Sequence, residues 1–435
     1  MRLAPITRAA SRTPGRRRGV AGAALAVAAT AAIAAQSPAA PSPDLVSRAR
    51  AIHDRVITLD THDDIDPAHF QANCNYTQRL TTQVNLPKME QGGLDVAFFI
   101  VYVGQGPLTA DGYADAYQQA IAKFDAVQRL TKELAPARIG LALKADDVER
   151  IARSGRKVAV IGIENGYPLG TDPGRVTEFW ERGGRYLSLA HNRHSQLADS
   201  NTGETTGDAP NRGISALGRQ VLAEMNRVGM MVDVSHLSRD AMLQAAALSR
   251  APIIASHSAV RALANHRRNL DDAQLQALKK SGGVVQIVAL ASFVKTEPAA
   301  QTQARDTALA AARKELGIGT ASCPVDDPAG AAAIEYRWRR DAIQAASPRA
   351  NLRDFVDHID YAVKLIGIDH VGISSDFDGG GGIDGWDDAG ETVNVTLELV
   401  RRGYSESDIA KLWSGNLLRV WTATERVAAE LRRAR

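Results

Sequence analysis

The chain has 435 residues, 45% of them hydrophobic and 23% charged, which fits a folded globular protein and excludes extensive disorder. Its formal charge of +3 belongs to the N-terminus: residues 1–43 carry six arginines and no acid, and without them 46 basic residues face 49 acidic ones. No Lys/Arg run follows in the rest of the chain, so nucleic acid is not an expected partner.

The N-terminal segment reads as a cleavable export signal over residues 1–35. Arg16-Arg17-Arg18 precede an uncharged, Ala-rich stretch from Gly19 to Ala35, with small residues at Ala32-Ile33-Ala34 for cleavage. The stretch is short and mostly alanine, so it would span a bilayer poorly. Residues 36–44 read as a linker, and residues 45–435 as one catalytic unit. The charged run Glu430–Arg435 does not resemble a lipid-anchor signal. The expected location is exported, periplasmic or secreted, without a stable membrane anchor. The two cysteines, Cys74 and Cys323, leave two alternatives open: a disulfide in an oxidising compartment, or two free thiols.

Eight short apolar runs follow in chain order. They are Val56–Leu59, Val96–Val103, Val158–Ile163, Tyr186–Leu189, Met230–Val234, Ile253–Ala255, Val284–Val288 and Val371–Ser374. Continuous apolar runs of this length fit strands buried on both faces of a parallel sheet. Helical patterns lie between them, among them Tyr113–Leu134, Ala216–Arg227, Ser238–Leu248 and Leu352–Ile366. The alternation predicts an α/β fold, a (β/α)8 TIM-like barrel, with a doubly wound open sheet as the alternative. An insertion at about 291–350, with helices at Asp306–Leu316 and Ala331–Ala346, interrupts the rhythm after the seventh strand. Its position makes it a candidate lid or specificity element, or else a peripheral or oligomerising addition. The Gly379–Gly382 run reads as a flexible loop near the site.

The chemistry lies at the strand ends. The first run leads into Asp60-Thr61-His62-Asp63-Asp64, the third ends at Glu164, and the fourth at His191. The fifth ends at His236, the sixth at His257, and the eighth at Asp376. A single histidine after a strand is more often a hydrogen-bonded loop residue. Six strands delivering imidazoles and carboxylates to one rim point instead to a metal site. His62 and Asp64, two apart on extended chain, face the same side. Glu164 has two oxygens and can bridge two ions. Imidazole and carboxylate without thiolate suit Zn²⁺, with Mn²⁺, Fe²⁺ and Co²⁺ as alternatives. His53, His69, His194, His266, His358 and His370 lack such placement and read as structural.

Over roughly residues 50–425 the chain resembles the membrane dipeptidases, zinc peptidase family M19. The resemblance rests on ordered motifs: Asp60–Asp64, Asn85-Leu86-Pro87 with Gly92-Gly93, Ile161–Glu164, Leu187–Asn192 with Ala198-Asp199-Ser200, Val232–His236, Ser256-His257-Ser258 with Arg268-Asn269, and Gly372–Gly379. It implies a distorted (β/α)8 barrel of the metal-dependent amidohydrolase type with two Zn²⁺ per chain. His62 and Asp64 would bind one ion, His236 and His257 the other, with Glu164 bridging. A metal-bridging hydroxide would hydrolyse dipeptides, including ones with a C-terminal D-residue. Asp376 would move the proton, His191 would contact the scissile carbonyl oxygen, and Arg268 would grip the terminal carboxylate. Members of the family are often homodimers. Asp63 departs from the pattern, standing where an asparagine is usual. A related amidohydrolase, a small-amide deacylase or lactonase, is the alternative reading, and a non-catalytic binding protein a more distant one.

Overall fold

The computed structural model describes residues 41–319 and 321–434, so the expected export signal and most of the expected linker lie outside the described residues. A helix, Pro43–His53, already begins inside the expected linker, with Ser42 capping it. Eight parallel strands follow: β1 (Leu59–Asp64), β2 (Val96–Tyr102), β3 (Lys157–Glu164), β4 (Gly184–Ser188), β5 (Met231–Asp233), β6 (Ile253–Ser258), β7 (Val284–Val288) and β8 (Val371–Ser374). They pair in chain order. The barrel is nearly closed by a parallel bridge between Asp63 and Phe377, where Asp64 N–H donates to the Phe377 carbonyl at 2.8 Å. This is a (β/α)8 TIM-like fold, not the open sheet.

Alternate residues of each strand explain why the runs are continuously apolar. Val96, Phe98 and Ile100 pack inside the barrel with Val158, Val160, Tyr186, Met231, Ile254 and Val284. Trp421 of the C-terminal helix Asn416–Arg433 joins this cluster. Ala97, Phe99 and Val101 point the other way, into the layer shared with surrounding helices such as Ala110–Arg129 and Leu352–Ile366. The expected helices form where their caps lie. Ser215, Ser238 and Asn351 accept hydrogen bonds from the first turns of Ala216–Val228, Arg239–Leu248 and Leu352–Ile366.

Most strand and helix ends shift by a few residues, and three of the changes matter here. β1 begins at Leu59 rather than Val56, so Asp60, His62 and Asp64 are part of the strand and do not follow it. The helix after β2 ends its regular part at Arg129 and widens into a π-type turn, Leu130–Leu134. In the insertion, the first long helix runs Ala299–Glu315, starting before Asp306, while the second is Ala331–Ala346 as expected. The insertion is tied down beside β1. Cys74, in the small hairpin after β1, forms a disulfide with Cys323. Thr81 N–H donates to the Pro324 carbonyl at 2.7 Å, and Arg79 pairs with Asp326 at 3.0 Å.

Candidate active site

Two irregularities in the strands turn the key side chains toward one another. Between Asp60 and Asp63, β1 carries one residue more than its neighbour β2 does between Ala97 and Phe99. β6 carries one residue more than β7 between Ala255 and Ser258. An extra residue reverses the in-out alternation beyond it. Leu59 and Ile254 point into the barrel, and without the extra residue His62, Asp64 and His257 would point away from it. With it they meet Glu164, which ends β3 on the inward set Val158, Val160, Gly162, Glu164.

Glu164 stands at the centre. Its Oε1 lies 3.0 Å from His236 Nε2 and 3.3 Å from His257 Nε2. Its Oε2 lies 3.7 Å from His62 Nε2 and 3.8 Å from His191 Nε2. His62 Nε2 is also 3.5 Å from Asp64 Oδ2 and 3.8 Å from Asp376 Oδ1. The Nε2 atoms of His236 and His257 approach to 3.0 Å. The structure thus brings all seven of these residues into one cluster, and Arg268 into the wall of the same cavity.

The outer ring nitrogens fix what each imidazole offers. Tyr186 Oη donates to the Thr61 carbonyl at 2.9 Å, so it accepts from His62 Nδ1–H at 2.9 Å. Ser256 Oγ donates to Asp233 at 2.7 Å and accepts from His257 Nδ1–H at 2.8 Å. Asn192 Oδ1 accepts from His236 Nδ1–H at 3.0 Å. All three rings therefore aim an Nε2 lone pair inward, the arrangement in which histidine binds a metal. His62 Nε2 and Glu164 Oε1 are buried and lack a well-aligned hydrogen bond among the described residues. Buried polar atoms are seldom left so, and cations between these donors would satisfy them. Three groups drawn from His62, Asp64, Glu164, His191, His236, His257 and Asp376 have ligand atoms close enough to share an ion.

The electrostatics follow from burial and crowding. Burial raises the Asp376 carboxyl well above its usual range, with Asp64 and Glu164 adding to it. Burial opposes ionisation of Glu164, but the surrounding His191, His62 and His236 outweigh it and hold Glu164 well below its usual range. Burial lowers His191, His236 and His257. It would lower His62 too, but Glu164 and Asp64 lift that ring. Asp63 is fully buried, and burial together with Asp60 pushes it well above the ordinary carboxylate range. His236 (φ 69°), Asp376 (φ 61°), Asn165 (φ 76°) and Asp378 (φ 60°) all adopt left-handed backbone conformations that non-glycine residues avoid. Their concentration at the strand ends marks the rim as the strained part of the barrel.

The cluster opens into a cavity of about 720 Å³. Arg268, in the loop after β6, is buried there, its guanidinium 5.3 Å from the Phe293 ring and donating to the His257 carbonyl at 3.1 Å. Burial lowers Arg268 to about 10. Phe293 comes from the start of the insertion and Leu290 from just before it, so the insertion forms part of the cavity wall. The Gly379–Gly382 loop is held by hydrogen bonds: Gly381 N–H donates to Asp376 O at 2.7 Å and Gly382 N–H to Ala289 O at 2.9 Å.

Sequence reasoning missed several cavity residues. His266, read as structural, stacks on Phe293 with ring centroids 4.4 Å apart, and burial together with Arg268 lowers it to about 4. His69 also lines the cavity, as do Tyr102 and Lys123. The two-residue spacing to Arg268 is the available signal for His266; a lysine within a helical stretch carries none. His53, His358 and His370 are structural, each hydrogen-bonded to backbone carbonyls of neighbouring elements.

The sequence pattern of the family described as membrane dipeptidase, peptidase family M19, matches residues 46–435. Dipeptidase tcpJ of Claviceps purpurea is 32% identical over 360 residues, covering 81% of this chain and 72% of that protein. Among solved structures, the probable dipeptidase PvdM from Pseudomonas aeruginosa superposes with a TM-score of 0.74 at 33% identity, covering 89% of this chain and all of PvdM. A metallo peptidase from Rhodobacter sphaeroides, liganded with a phosphinate mimic of the dipeptide L-Ala-D-Ala, gives a TM-score of 0.66 at 22% identity, over 85% of this chain and 99% of that one.

Proposed function

The chain belongs to the membrane dipeptidases, peptidase family M19, and from that premise we propose that it is a dizinc dipeptidase cutting the single peptide bond of free dipeptides. Family membership makes it a metallo-dipeptidase. The finer reading is carried by one observation: three imidazoles, each fixed through Nδ1, aim Nε2 at the two oxygens of Glu164.

His62 and Asp64 would hold one ion, His236 and His257 the other, with Glu164 shared between them. Bound there, two divalent cations supply an activated water near neutral pH and Lewis-acid polarisation of the scissile carbonyl. The donor set, imidazole and carboxylate, suits zinc. Asp376, 3.8 Å from His62, takes the proton of the attacking water as its oxygen bonds to the carbonyl carbon. It returns that proton to the amine nitrogen as the C–N bond breaks. His191 stabilises the negative charge that develops on the carbonyl oxygen. Arg268 grips the substrate's terminal carboxylate, which restricts cleavage to dipeptides. We include dipeptides with a C-terminal D-residue, in keeping with the mimic bound by the fold relative from Rhodobacter sphaeroides.

We place the enzyme outside the cytoplasm. The Arg-rich, Ala-rich N-terminal segment supports this, and so does the Cys74–Cys323 disulfide, since such bonds persist in oxidising compartments. Among the described residues no helix is long and apolar enough to cross a membrane.

A panel of L,L and L,D dipeptides with free and amidated C-termini tests the reading. Free dipeptides are cleaved and amidated ones poorly. Arg268→Ala lowers kcat/KM for free dipeptides by about 100-fold, as expected for loss of a buried charged contact, and that for amidated ones far less. Equal losses on both would overturn the assignment of Arg268.

A further inference from the structure

Lys123 occupies an unusual place. It lies on the helix Ala110–Arg129, whose buried stripe runs Ala116, Ala120, Phe124 and Val127. A lysine beside that stripe is expected to turn its ammonium to solvent. Instead Lys123 lines the active-site cavity, its Nζ 2.7 Å from the Ile65 carbonyl and 5.8 Å from the centre of the Tyr102 ring. That hydrogen bond uses one of three ammonium protons. No ion pair to Lys123 is formed among the described residues. Two carboxylates share its side of the cavity: Asp64, which belongs to the proposed metal cluster, and Asp66, whose Oδ1 accepts from Ala68 N–H at 2.9 Å. Burial lowers Lys123, and nearby Asp64, Asp66 and Glu164 oppose that.

Its position in the barrel gives the cation a purpose. Lys123 follows β2 and Arg268 follows β6, four strands apart in a ring of eight, so the two cations approach the cluster from opposite sides. With the terminal carboxylate on Arg268 and the scissile bond at the cluster, the part of the substrate toward Lys123 is its N-terminal residue. A half-buried ammonium with free donors is a poor neighbour for a basic or apolar side chain and a good one for a carboxylate. We propose that Lys123 forms a second anion subsite opposite Arg268, which binds the side-chain carboxylate of the substrate's N-terminal residue and makes dipeptides beginning with Asp or Glu the preferred class. This rests on the dipeptidase reading above.

The test compares kcat/KM for Asp-Ala with Asn-Ala, and Glu-Ala with Gln-Ala, on the metal-loaded enzyme. These pairs differ by a charge and hardly in shape. The wild type favours at least one acid over its amide by tenfold or more. Lys123→Met brings that ratio near one, Lys123→Arg preserves the preference, and Lys123→Glu reverses it. Each ratio is internal to one protein sample, so partial misfolding of a variant does not affect it. If Lys123→Met yields no folded protein, Lys123→Glu makes the same comparison, and a preference that survives it overturns the subsite. Dipeptide cleavage with no acid preference, or a preference that survives Lys123→Met, overturns the subsite and leaves the dipeptidase reading standing. A wild type that cuts no dipeptide overturns both.

Discussion

Gly379 sets the spacing between two carboxylates of the cluster. A Cβ at this position would lie 2.3 Å from Asp64 Oδ2 and 2.6 Å from Asp376 Oδ1. Gly379→Ala must therefore displace a proposed metal ligand or the proposed proton carrier. Misplacement of about 1 Å costs on the order of 100-fold in rate, and we expect a loss of that size in kcat/KM with the melting temperature nearly unchanged. Steady-state kinetics and a thermal melt on the same sample check this; wild-type kinetics from the variant would contradict it. At this scale the sequence was informative where one residue type has one use. His62, Asp64, Glu164, His191, His236, His257 and Asp376 stand out because imidazoles and carboxylates end so many strands. His266 and Lys123 do not, because a histidine in a loop and a lysine on a helix have ordinary roles.

At the scale of elements, apolar runs locate strands well when both faces are buried, as in β2 and β3. They misplace β1, because all of it after Leu59 is Asp60–Asp64 and carries the site instead of the core. The extra residues in β1 and β6 leave no signature in composition either, since they are defined by pairing with a neighbouring strand. The helix Leu352–Ile366 is fastened through His358, which is neutral in the fold. Val260 N–H donates to its Nδ1 at 3.0 Å, and its Nε2–H donates to the Val294 carbonyl at 2.8 Å. Burial lowers its pKa from the ordinary 6.5. The unfolded chain thus takes up a proton at a higher pH than the folded chain. The stability His358 contributes is complete above 6.5 and declines as pH falls below that value toward the folded pKa. His53, buried between Thr396 and the Gly92 carbonyl, acts in the same direction. The melting temperature should fall between about pH 7 and pH 5, and less steeply in His358→Gln, even though that variant is less stable overall. An unchanged slope would contradict this role.

For the whole molecule, the disulfide links positions 249 residues apart and ties the insertion to the segment after β1. Two cysteines at that separation cannot be paired from sequence, since only the folded barrel brings them together. A cross-link over so long a loop restricts the unfolded chain and contributes about 2–4 kcal/mol. Replacing both with Ser, Cys74→Ser with Cys323→Ser, should lower the melting temperature by roughly several degrees. Reductant should reproduce the shift in the wild type and have no effect on the variant. Equal melting temperatures with and without reductant would show that the bond adds no stability.

The central claim is that Glu164 joins two cation sites that make this barrel a dipeptidase. Metal content and dipeptide hydrolysis, measured together on the wild type and on Glu164→Ala, test it most directly. The account predicts two zinc equivalents per wild-type chain, activity lost on chelation and restored by Zn²⁺, and both metal and activity lost from Glu164→Ala. Full hydrolysis by a chelated, metal-free wild type, or by a Glu164→Ala chain that has lost its metal, would contradict it.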